Sequence, residues 1–166
     1  MNSTQEAKEW KPLLDELTLA LRQLHKALVD EEAAAYARKF APVAGRADLL
    51  RLLTTHEHFA WLRVLSELMV DVDELRAGAA VARGDLQGLR STIEGLVGPR
   101  PASLAPFRAR YIALMQRTPQ VAMAHHALRQ VLQRLPAGDG ETTSDELHER
   151  HVETEGEKHV PPEKDG

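Results

Sequence analysis

Leucine returns every seven residues through the first quarter of the chain: Leu14, Leu21 and Leu28, continued by Ala35, with Leu17 and Leu24 interleaved. Seven residues are two turns of an α-helix, so this spacing draws one apolar seam along a helix. On a strand it would scatter the same residues over both faces. A second seam lies near the other end. Phe107, Leu114, Val121, Leu128 and Leu135 fall on a seven-residue repeat, with Tyr111, Thr118, His125 and Leu132 between them. Two such seams need each other or a third helix to cover them.

The stretches between are helical in pattern too. Pro12 suits a first turn, so helix one is expected from there to about Phe40, with Ser3 and Glu6 as a capping box for a short leading helix. Helix two is expected from Asp48 to about Ala77. Its apolar face drifts: Leu49, Leu52, Leu53, Phe59 and Ala60 share one side, whereas Leu65, Leu68, Met69, Val72 and Leu75 sit well round the cylinder. Such a surface suits a helix with several neighbours or one at an oligomer interface. A shorter third helix fits Asp85 to Val97, with Asp85 as N-cap, Leu86, Leu89, Ile93 and Leu96 buried, and Gly98-Pro99 as the stop. Helix four follows Ser103, and Pro119 predicts a kink inside it. No period-two alternation competes. The expected fold is all-α: an antiparallel bundle of three long helices and one shorter helix.

The last 30 residues differ in kind. Apolar residues are sparse there, and ten acids face three cations, so residues 137–166 carry −7 and the body +3 of the overall −4. A segment with so little to bury cannot offset its ordering entropy. It is expected to be a disordered acidic tail beside a helical domain spanning residues 1–136.

With no cysteine, disulfides and thiolate chemistry are excluded. The polar N-terminus lacks a secretory layout and no apolar run reaches membrane length, which predicts a cytoplasmic, bacterial-style protein without a membrane partner.

The histidines bear on function. "THEHFAWL", residues 55–62, places His56 and His58 two apart, on roughly opposite sides of a helix, so they cannot clasp one metal together. On a continuous helix His56 faces the core and His58 faces out. In helix four His125 lies on the seam and His126 points away. In helix one Glu31 and Glu32 interrupt the seam. Three helices thus offer Glu31 or Glu32, His56 and His125 to one interior, a set of carboxylate and imidazoles able to hold iron, zinc or a haem. Against this, no Glu is followed by His three residues later, as paired di-iron bundles require. Hydrogen-bonded core histidines are the simpler expectation, with no cofactor.

The six arginines from Arg100 to Arg134, in a stretch without acids between Glu94 and Asp139, raise an anion- or nucleic-acid-binding reading. They scatter round the helix rather than grouping. Pairing with Glu67, Asp71, Asp73 and Glu74 of helix two accounts for them better. His148 and His151 of the tail could share a face only if the tail turned helical. Arg83-Gly84-Asp85 reads as a loop and cap rather than an adhesion motif. No nucleophile elbow is present. The sequence therefore favours a non-enzymatic interaction or regulatory module, binding a protein partner or itself as a homodimer. The metal- or haem-binding bundle and the anion-binding regulator stand as alternatives.

Overall fold

A computed structural model describes residues 3–78, 80–99 and 105–138, with side chains from Trp10 onward. The chain divides into two units, Met1–Pro136 and Ala137–Gly166. The fold below belongs to the first. The expected tail, residues 137–166, lies outside the described residues from 139 onward.

Every regular element described is helical, and no strand occurs among the described residues. The order is α1 (Ser3–Lys39), α2 (Arg46–Thr55), a 3-10 turn (Glu57–Leu62), α3 (Arg63–Ala77), α4 (Arg83–Val97), α5 (Ala105–Arg117) and α6 (Pro119–Leu132). The all-α class holds, but the count of three long helices and one short does not. Helix one needs no separate leader: α1 runs unbroken past Pro12, which sits in its interior. The long second helix is three elements, and the fourth is two.

Both leucine seams are buried. Leu14, Leu17, Leu21, Leu24 and Leu28 are inaccessible in α1, as are Leu114, Val121, Leu128 and Leu132 in α5 and α6. The Pro119 kink is a full break. Thr118 turns extended at φ −120°, ψ 106°, and Pro119 opens α6 at its first position, where a missing N–H costs nothing. The seam survives because Thr118 is itself buried on it.

Contacts between α1 and the 56–77 stretch descend along one as they ascend along the other. His58 meets Glu32, Ser66 meets His25, Asp73 meets Arg22 and Arg76 meets Asp15. On another side of α1, Arg134 grips Glu16 with both guanidinium nitrogens. Among the described residues the expected pairing of α5–α6 arginines with acids of α3 does not occur. Arg134 goes to α1, Arg129 approaches Glu94 of α4 at 3.7 Å, and Asp73 is taken by Arg22 and Arg76.

In α4, Leu86, Leu89, Ile93 and Leu96 are buried as their spacing predicts. Asp85 is not the N-cap. It sits three residues in, where its carboxylate accepts from the Ala82 N–H at 3.0 Å. No helix among the described residues is long and apolar enough to cross a membrane.

Candidate functional site: the histidine-aromatic junction

The site grows out of a helix break. Thr54 and Thr55 turn their hydroxyls back onto the carbonyls of Leu50 and Arg51, a bonding pattern that weakens a helix end. His56 then leaves the helical region at φ −90°, ψ 134°. Its Nδ1 accepts the backbone N–H of His58 at 3.1 Å, as an N-cap residue does. His56 therefore starts the 3-10 turn. A Nδ1 used in this way carries no proton, so the neutral ring holds its hydrogen on Nε2.

The tighter turn changes which side chains face inward. With three residues per turn, Phe59 and Leu62 share a side, and both are buried. His58 swings in as well. The solvent-facing position expected on a continuous helix is overturned: the His58 side chain is 13% exposed and that of its partner, Glu32, 8%. Nε2 of His58 stands 2.9 Å from Oε2 of Glu32 and 3.2 Å from the Glu32 carbonyl oxygen. Both neighbours are acceptors, so Nε2 carries the proton and donates.

Around this pair the rings of Tyr36, Phe40, His56, His58 and Phe59 lie with centroids 4.9–6.0 Å apart, several of them edge to face. From the far side Arg110 of α5 donates to the His58 carbonyl at 3.2 Å and lies 5.9 Å from the Trp61 ring. Trp61 continues to Phe107, and Phe107 stacks on Tyr111. Of the seven aromatic residues in the chain, only Trp10 lies outside this line.

The line ends at His125, whose Nδ1 is 2.6 Å from the Tyr111 hydroxyl oxygen. Burial pushes the Tyr111 phenol well above its ordinary value, against the opposing influence of Arg129 and Arg108. Burial also pushes the His125 imidazole down, helped by Arg129 and His126. The two are therefore a neutral pair at physiological pH. His25 is likewise lowered by burial and shares a 3.1 Å contact with the Ser66 hydroxyl.

The four residues singled out as metal ligands thus fall in different settings. Glu32 is paired with His58, His56 caps the turn, His125 is bonded to Tyr111 of α5, and Glu31 is half-buried. No three potential ligands come together among the described residues. Sequence reasoning missed His58, although one signal was present. Phe59 and Leu62 stand three residues apart, one full 3-10 turn, although the same spacing runs on to Leu65 and Leu68 in α3.

The junction leaves apolar surface uncovered. Phe40 is 51% exposed at the end of α1, with the Lys39 ammonium 5.0 Å from its ring. In α2 only Leu52 is buried. Leu49 and Leu53 are half-buried, and Leu50 is 64% exposed. Comparison with protein-family models, curated proteins and solved structures gives no match.

Proposed function

We propose that this chain is a non-enzymatic helical interaction module, built as a mostly antiparallel bundle, whose contact surface is the turn from α1 into α2. The observation that carries this reading is the exposure of Phe40 at the end of α1 and of Leu50 on α2, a short helix that buries a single residue of its own. Large apolar side chains left open beside half-buried ones mark a place where another surface docks. Single exposed hydrophobics are ordinary, but here they stand on α2 and on the residue that packs against its terminal histidine.

The polar groups of the junction support a structural rather than a chemical role. Glu32 and His58 use their functional atoms on each other, and so do Tyr111 and His125. The test is a photo-reactive amino acid placed at Leu50 in the full chain, expressed in cells. The expected result is one or two discrete cross-linked species, which are lost when Phe40 is changed to Ser. No cross-link at any expression level would sink the reading.

A further inference from the structure

The open face at the α1–α2 turn is basic. Arg38, Lys39 and Arg46 flank this turn and are exposed, and among the described residues none has a carboxylate within ion-pair distance. The nearest acid in sequence, Asp48, is already occupied by Arg51 and the Ala44 N–H.

A second face has the opposite character. On α3, Glu67, Val70, Asp71 and Glu74 span about 100° of the helical wheel and all are exposed. Val70 is 55% exposed at one edge of this arc, beside the three acids. These are the acids expected to pair with the α5–α6 arginines. They do not, and among the described residues they form no ion pair. Asp73, on the inner side of the same helix, is the one that does.

We infer that the occupant of the basic α1–α2 face is the acidic α3 face of a second copy of this chain. This rests on the interaction-module reading and names its partner. Each face carries exposed apolar side chains beside unpaired charges of one sign, and the two signs are opposite. Such surfaces attract at a distance and repel their own kind, which disfavours a symmetric contact of either face with itself. At each contact the basic face of one copy meets the acidic face of another.

The test is sedimentation velocity of the full chain with two charge-reversed variants, Arg38→Glu/Arg46→Glu and Glu67→Lys/Glu74→Lys. All four positions are exposed, and circular dichroism checks that both variants remain folded. The wild type should associate as concentration rises, and at least about tenfold more weakly when salt is raised from about 50 to 500 mM. Each variant alone should stay monomeric, because its two faces now carry like charge. Mixed together, the variants should associate again, since each supplies the face that the other has lost. A wild type that stays monomeric overturns the inference. So does association that persists in the separate variants, or variants that fail to rescue each other. A monomer whose Leu50 position still cross-links to a different protein in cells overturns the second-copy assignment alone. Loss of every cross-link ends the interaction-module reading with it.

Discussion

Removing His58 should cost far more than removing an exposed charge, and the geometry says why. The Glu32 carboxylate lies under the junction with His58 Nε2 as its partner at 2.9 Å. In His58→Leu that carboxylate stays out of water with its hydrogen-bond donor gone. Breaking a buried pair from one side typically costs about 3–5 kcal/mol. The residual exposure of both side chains argues for the lower end, about 3 kcal/mol, or a fall in melting temperature of about 10 °C for a domain of this size. Glu32→Leu should be milder, about 1–2 kcal/mol, because the imidazole still donates to the backbone carbonyl of residue 32. The double variant should cost less than the sum of the singles, with a coupling of about 2 kcal/mol. Arg22→Ala, which removes the exposed pair with Asp73, is the control and should cost under about 1 kcal/mol. Urea unfolding followed by circular dichroism reads all four. Additive costs for Glu32 and His58, or a His58→Leu cost no larger than that of Arg22→Ala, would refute the reasoning.

The glycines of α4 separate by position. A Cβ on Gly98 would stand 2.3 Å from the Glu94 carbonyl oxygen, so Gly98→Ala should destabilise by at least about 2 kcal/mol. Gly88, with open space around it, should gain about 0.5–1 kcal/mol on the same change. Thermal melts of the two variants check the contrast. His56→Ala should cost about 1 kcal/mol by removing the cap on the 3-10 turn, while His56→Asn should recover most of it; equal losses would mean the Nδ1 contact is idle. His25 and His125 both sit below their ordinary value because burial disfavours the charged ring. The unfolded chain takes up protons at these sites first, so their contribution is present above about pH 6.5 and is lost as the pH falls below it. A pH series on the wild type and on His25→Gln should show a shallower acid loss in the variant.

How far the fold is legible follows from what the sequence repeats. The seams of α1 and α5–α6 read directly, because burial along them obeys one period and even the break at Thr118 keeps the phase. The break at His56 was hidden by composition: no glycine or proline marks it, and "TTHEHF" is acceptable helix sequence. The apparent drift of apolar residues between Leu49 and Leu75 was its trace. One helix that wanders and two helices joined by a 3-10 turn leave nearly the same pattern. The choice between Glu31 and Glu32 turned on phase. A straight helix drifts about 20° per heptad, and by the fourth repeat this brings Glu32 fully under while Glu31 stays half-covered.

The same break explains why so few aromatic residues suffice here. On a continuous α-helix Phe59 and Trp61 would point about 200° apart, and only one could reach a neighbour on the buried side. On the 3-10 turn, Phe59 packs against Tyr36 of α1 while Trp61 meets Phe107 of α5. One six-residue segment thus joins two different helices through rings, and the Glu32–His58 pair and the Arg110 contact fasten it from both sides. The helix that enters this turn is the one that buries a single leucine. Its other leucines are left over because the turn, not α2, makes the long-range contacts. The exposed face that the interaction reading rests on is therefore the consequence of where the chain breaks, and a variant that made residues 54–60 continuous helix should remove the junction and the docking face together.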